Sequence, residues 1–322
     1  MSNMRQAHQL AVGLTAALAM AAPLAACAED SAGEGAGRLT VGVAFYPVEE
    51  VVHQVGGELV NIVTVVPPGE EAHEYEPTAK QLAALSEADV VFFLGNDFQP
   101  GVEHALESLP ASVRRVDLLT GLEMQPIDAE LGHSEADASG EDEHAHEGDD
   151  PHVWLAPANM AAMAEAVATE LATLVPADAA AFADAADRFA AELDVLDAEF
   201  TAGLASCDST VLVTGHHAFG YLATAYGLTQ MPIAGISPSE EPSAETLAEV
   251  AAFAADNGVT TIFFEENLPP DLARTVADEI GASTAVLDTV EALSREQLDA
   301  GEDYLSVMRA NLAALQSGLR CT

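Results

Sequence analysis

Residues 260–287 read TTIFFEENLPPDLARTVADEIGASTAVL, and this stretch sets the fold class. Thr260–Phe264 and Thr284–Leu287 are short apolar, mostly β-branched or aromatic runs bounded by turn residues, the pattern of strands buried on both faces. Pro269–Ile280 between them carries apolar residues at helical spacing. Strand, helix and strand in that order form one unit of a parallel α/β sheet.

The same alternation extends upstream. Thr210–Thr214 and Gln230–Ala234 are further strands, and Ser243–Asp256 is a further helix. An earlier series has candidate strands at Thr40–Phe45, Asn61–Val66, Val90–Leu94 and Val113–Asp117, with helical stretches such as Thr78–Ser86 between them. Two series of similar size predict two β/α lobes, each around a mostly parallel sheet. Between them Ala158–Val175 reads as a helix that Pro176 breaks, and residues 177–205 as a second with Phe182, Phe189, Leu193, Leu196, Phe200 and Leu204 on one stripe. At 1.5 Å per residue it would be ~40 Å long, a rigid rod able to join the lobes. The expected organisation is residues 39–157 as the N-terminal lobe, 158–206 as central helices and 207–322 as the C-terminal lobe.

Composition narrows the function. The 322 residues carry 53 acidic and 10 basic side chains, a net charge of −43, and Lys80 is the only lysine. Such a surface repels phosphate backbones and excludes nucleic acid as a partner. It suits attraction of cations, and equally a general solubility adaptation such as life in high salt.

The N-terminus points outside the cytoplasm. Arg5 precedes an uncharged run from Leu10 to Ala26, shorter than the ~20 residues of a spanning helix and interrupted by Pro23. It ends in Leu24-Ala25-Ala26-Cys27, which resembles a bacterial lipobox. Residues 1–27 are therefore expected to be a signal peptide ending at a lipidated Cys27, with a chance cysteine as the alternative. Residues 28–38 are a polar tether. Two acyl chains on Cys27 would anchor the chain to the bacterial membrane without a transmembrane helix. Cys207 and Cys321 are the remaining cysteines. In an oxidising compartment they are expected to pair, two buried free thiols being the alternative.

The histidines carry the chemistry. His53 and His104 sit singly in helical stretches. His73 follows the second strand in PPGEEAHEYEP, His152 lies in DPHVWLAP at the head of the first central helix, and His216 follows a strand in TGHHAFGYL. Asp288 ends a strand in AVLD. In open α/β sheets ligands gather beyond the carboxyl ends of the strands, where three of these four fall. Three imidazoles and a carboxylate form the four-coordinate, nitrogen-rich shell that zinc favours. Residues 128–150 form a carboxylate-rich loop with His133, His144 and His146, read either as a weak zinc collector or as a solvated spacer.

Taken together these motifs resemble the metal-specific solute-binding proteins of ABC importers (cluster A-I), in particular the zinc-uptake, ZnuA-type branch. The resemblance runs over essentially the whole mature chain: HEYEPT at His73, DPHVWL at His152, HHAFGYLATAYGL from His216, and FFEENLPPDLARTVADEIGASTAVLD leading to Asp288. It implies a receptor, not an enzyme, that captures extracytoplasmic Zn2+ between two lobes. The cargo would then pass to an importer permease and its ATPase. It implies His73, His152 and His216 as ligands. Manganese-specific relatives place a glutamate where this chain has His216, and the imidazole argues for zinc. Asp288 is the expected fourth ligand, water the alternative. His217 stands where aspartate is usual and is either second to the metal or exposed; Glu265 and Glu266 either orient an imidazole or form a solvated face. The rival readings are a manganese or iron receptor, a surface adhesin and a zinc hydrolase. The last lacks an HExxH helix, a nucleophile elbow and a free thiol. A monomer is expected.

Overall fold

Two runs of apolar, β-branched residues pair in parallel at the heart of each half of the protein. The computed structural model describes residues 38–127, 148–265 and 270–322. The expected signal peptide and Cys27, the tether up to residue 37, loop histidines 133, 144 and 146, and Glu266 lie outside the described residues.

The first half contains β1 (Leu39–Val43), α1 (Tyr46–Gly56), β2 (Val60–Thr64), α2 (Ala79–Leu85), β3 (Val90–Phe93), α3 (Pro100–Glu107) and β4 (Arg114–Asp117). A 3-10 turn, Val153–Leu155, leads into α4 (Pro157–Leu174), and a second at Pro176–Asp178 leads into α5 (Ala179–Leu204). The second half continues with β5 (Val211–Thr214), α6 (Gly220–Tyr226), β6 (Thr229–Pro232), α7 (Ala244–Asp256), β7 (Thr261–Phe264), α8 (Asp271–Ile280) and β8 (Ser283–Val286). It closes with α9 (Arg295–Ala300) and α10 (Tyr304–Gly318).

Each half has a four-stranded sheet, ordered β2-β1-β3-β4 in one and β6-β5-β7-β8 in the other. Every pairing is parallel. The expected strands and helices therefore form within about two residues of their predicted bounds. In each sheet the chain steps first to one side of the opening strand and then to the other. The crevice at that reversal is where loops from the carboxyl ends of the strands converge.

Helix ends follow local chemistry. Thr78 and Ser294 close capping boxes with Gln81 and Gln297, and Ser243 caps α7. Pro176 ends the α4 pattern as expected. In α5, Phe182, Phe189, Leu193, Leu196, Phe200 and Leu204 are all buried. At 1.5 Å per residue this helix is ~39 Å long. It packs on α1 and α4 of the first half and on α6 and α10 of the second.

The main core runs without a break from β1–β4 through α4 and α5 to Leu212, Phe263, Leu287 and the buried face of α10. A second cluster lies under α7 and α8. Cys207 and Cys321 are bonded. Hydrogen bonds from Ser209 N–H to Leu319 C=O and from Thr322 N–H to Ser206 C=O flank the disulfide, stitching the end of α10 to the start of the second half. Among the described residues no helix is long and apolar enough to cross a membrane.

Candidate metal centre

His73 lies in the turn between β2 and α2, and its placement begins with Glu71. The two oxygens of that carboxylate accept the backbone N–H groups of His73 and Glu74, at 2.7 and 2.8 Å. Gln99 donates to the Ala72 carbonyl at 2.9 Å, fixing the turn from the other side. The ring then packs edge-on against Phe98, with centroids 4.6 Å apart.

His152 precedes the 3-10 turn that starts the central helices. Asp150 Oδ1 accepts both its backbone N–H, at 3.0 Å, and its ring Nδ1–H, at 2.7 Å. Phe45, Phe98 and Trp154 form an aromatic wall behind it.

His216 follows β5 at the reversal point of the second sheet. Glu265, the residue just past β7, accepts its Nδ1–H at 2.8 Å and its backbone N–H at 3.2 Å. Gly215 permits this approach, since a Cβ there would lie 2.5 Å from Glu265 Oε1. With Nδ1 engaged on both His152 and His216, Nε2 is the ring atom left to face the cleft.

These three imidazoles meet one carboxylate, that of Glu291. The four candidate ligand atoms lie within 4.8 Å of one another, and all four residues are buried. His73 Nε2 stands 3.4 Å from His152 Nε2 and 3.6 Å from Glu291 Oε2. Glu291 Oε1 is 3.7 Å from His152 Nε2 and 3.6 Å from His216 Nε2. A tetrahedral zinc at ~2.0–2.1 Å from each ligand atom sets those atoms ~3.3–3.5 Å apart, close to the separations of 3.4–3.7 Å seen here. The buried Nε2 of His216 and Oε1 of Glu291 make no hydrogen bond. Such orphans are costly unless a ligand sits between them.

Asp288, the residue expected in fourth place, lies outside this group. Its Oδ1 accepts the N–H of Val290 at 2.7 Å, and Gln297 approaches its other oxygen at 3.5 Å. Asp288 thus builds the turn that presents Glu291. Asn311 of α10 grips the backbone of Asp288, accepting its N–H at 2.8 Å and donating to its C=O at 2.7 Å. Trp154 Nε1–H donates to Thr289 C=O at 2.7 Å, and Tyr304 donates to Trp154 C=O at 2.6 Å, tying the turn to the His152 side. Val290 at the bend has φ +58°, a strained conformation for a β-branched residue. His217 donates its backbone N–H to Gly235 C=O at 2.8 Å and is half-buried, outside the converging group.

Glu291, Asp150 and Glu71 were missed from sequence. Asp150 had a signal, standing two residues before His152 with its carboxylate free to turn back on the following backbone. Glu291 stands three residues past the strand-end aspartate, where a pattern of elements gives no direction for a side chain.

The charges differ across the centre. Burial lowers the pKa of His152, with Asp150 offsetting only part, so its imidazole is neutral. Burial opposes charge on His216 too, but Glu265 and Glu291 outweigh it and lift the pKa to about 10. Burial likewise opposes the Glu291 carboxylate, yet His73 and His216 hold it well below the usual range. Without metal, the site therefore contains a buried ion pair of His216 and Glu291.

This site geometry accompanies a family-wide likeness. The chain matches the family model described as zinc-uptake complex component A, periplasmic (ZnuA), over residues 41–318. It is 36% identical over 293 residues to the zinc-binding lipoprotein AdcA of Streptococcus pneumoniae, covering 91% of this chain but 58% of that protein. The chain thus spans a little over half the length of the AdcA proteins it matches. It is 33% identical to the high-affinity zinc uptake system protein ZnuA of Bacillus subtilis, covering 90% of this chain and 89% of that one. Among solved structures, the Zn(II)-bound ZnuA-like domain of S. pneumoniae AdcA superposes with a TM-score of 0.72 at 34% identity, over 88% of this chain and 99% of that one. A model match over most of the chain and a relative aligned along nearly its full length place this protein in the ZnuA family.

Proposed function

We propose that this chain is an extracytoplasmic zinc receptor. It captures Zn2+ between its two sheets through His73, His152, His216 and Glu291 and delivers it to an ABC-type membrane importer. The observation that carries this reading is the convergence of three buried imidazoles and a buried carboxylate, with separations of 3.4–3.7 Å and no hydrogen bond to His216 Nε2 or Glu291 Oε1. Nitrogen-rich ligation favours zinc over manganese, which prefers harder oxygen donors. Four protein ligands leave no open position for a metal-bound water, and the family is one of solute-binding receptors, so the reading is transport and not hydrolysis.

Ligands from both halves mean that bound metal clamps the halves together and stabilises the fold by mass action. The net charge of −43 draws cations toward the cleft. The lipobox at Cys27 and the lipoprotein relative support a lipid-anchored receptor that meets its permease at the membrane, and a monomer suffices for it, since all four proposed ligands come from one chain. His133, His144 and His146 belong to the proposal as weak, additional zinc ligands. Replacing the three with Ser should lower the total zinc bound and leave the tight site unchanged; equal stoichiometry before and after makes that loop a spacer.

The deciding experiment is metal analysis of the purified chain, followed by competition titration of zinc against manganese. One tightly held zinc per chain, not displaced by excess manganese, is the expected result. A preference for manganese, or no metal held at all, overturns the reading.

A further inference from the structure

The two residues that open α6 both close on Asp150. Tyr221 is buried, and its hydroxyl accepts the N–H of Gln125 at 2.9 Å while donating to the C=O of Asp150 at 3.0 Å. One side chain of the second half thus joins two backbone groups of the first, across 96 and 71 residues. Those groups belong to a short antiparallel stem. Pro126 bridges Asp149, Asp150 N–H donates to Gln125 C=O at 2.7 Å, and Ile127 N–H donates to Gly148 C=O at 3.1 Å. Thr224, one turn along α6, adds a hydrogen bond to the Gln125 side chain at 3.0 Å. Gly220 completes the seat by shape: a Cβ there would lie 2.5 Å from Asp150 Oδ2. Burial lifts the Tyr221 pKa to about 12, so the hydroxyl keeps its proton.

Asp150 in turn holds both the backbone and the ring of His152. We propose that Gly220 and Tyr221 are positioning residues for metal binding. They fix Asp150, and through it the His152 imidazole, so that the half of the protein carrying His216 also aims an imidazole of the opposite half. Full ligation then requires α6 to be docked on the stem, which makes α6 a mechanical link between the closure of the halves and the quality of the metal shell. The inference rests on the proposed zinc site.

The test is Tyr221→Phe in the full chain, which removes one oxygen and keeps the ring. Zinc competition titration should show affinity falling ~10-fold, the lower end of the usual range for loss of an outer hydrogen-bonding partner. The second readout is the ring N–H resonances in 15N-histidine-labelled protein. The His152 Nδ1–H should shift and exchange faster with solvent, while the His216 Nδ1–H, held by Glu265, stays in place. General loosening of the fold would move both. Gly220→Ala keeps the hydroxyl but crowds Asp150 and should give the same signature, so it carries the test if Tyr221→Phe fails to fold. An unchanged His152 signal, equal changes at both histidines, or a His152 change with no loss of affinity overturns the inference. If the wild-type chain holds no zinc, the zinc reading fails. The histidine spectra of the metal-free protein then decide the positioning role alone.

Discussion

The two halves of the metal centre hold their imidazoles by different means. On the first-sheet side, His73 and His152 lean on an aromatic wall of Phe45, Phe98 and Trp154, and burial keeps His152 uncharged. On the second-sheet side, His216 stands between Glu265 and Glu291 with no ring of that wall against it, and it holds its proton well above neutrality. One side presents a lone pair ready for a cation. The other stores a proton where the cation is to go. On the proposed function, a metal arriving here would complete a shell on the first side and replace a proton on the second.

The largest effect should come from removing the carboxylate on which all three imidazoles converge. A four-ligand zinc shell supplies ~10–16 kcal/mol, so loss of one ligand in Glu291→Ala should cost ~3 kcal/mol or more, over 100-fold in zinc Kd by competition titration. Asp288→Ala is the matched control. It removes the acceptor for Val290 N–H, about 1–2 kcal/mol of stability visible in the melting temperature, and weakens zinc by ~10-fold at most. If Asp288→Ala proves the more damaging to affinity, the fourth ligand is Asp288 after all.

Glu265→Gln tests the second side alone. The amide can still accept from His216 but no longer balances its charge. Zinc should bind ~10–100-fold more weakly, and the His216 pKa measured by NMR should fall toward the ordinary histidine range. An unchanged pKa would mean that Glu291 alone holds the proton, and the contrast between the halves would then rest on the ligand carboxylate.

That contrast also explains what could be read from sequence. The central strands were legible because they are parallel and covered, which demands continuous apolar runs such as VVFF and TIFF. His73, His152 and His216 were legible because each follows or opens an element, where short-range pattern fixes a residue's place. Glu265 was legible as a neighbour for the same reason. Glu291 was not, because its direction depends on a left-handed Val290 that no local signal announces, and on Asn311, Trp154 and Tyr304 from distant parts of the chain. Tyr221 escaped for a similar reason: its partners are backbone groups 71 and 96 residues away.

The smallest effect per step, and the one that reads the stored proton directly, is pH dependence. His216 is charged at pH 7 with a pKa of about 10, and a charged imidazole cannot ligate. Zinc binding at pH 7–8 should therefore release about one proton per metal, measurable by calorimetry in two buffers of different ionisation enthalpy. Apparent affinity should rise ~10-fold per pH unit across that range. The stability of the metal-free protein runs the other way. A folded pKa raised above the unfolded value contributes stability that is complete below the unfolded ~6.5 and is lost as pH climbs through the folded one. From pH 7 to 9 the metal-free protein should lose on the order of 1 kcal/mol per pH unit and melt progressively lower. The zinc-loaded protein has no such proton to lose and should melt at a nearly constant temperature. Glu291 works at the opposite end: its depressed pKa contributes stability above the ordinary carboxylate range that disappears only in strong acid. The metal-free and loaded forms compared differ only in the bound metal, so the divergence of the two melting curves reports on this site. Parallel curves for the metal-free and loaded forms, with no proton released on binding, would place a neutral His216 in the empty cleft and erase the difference between its two sides.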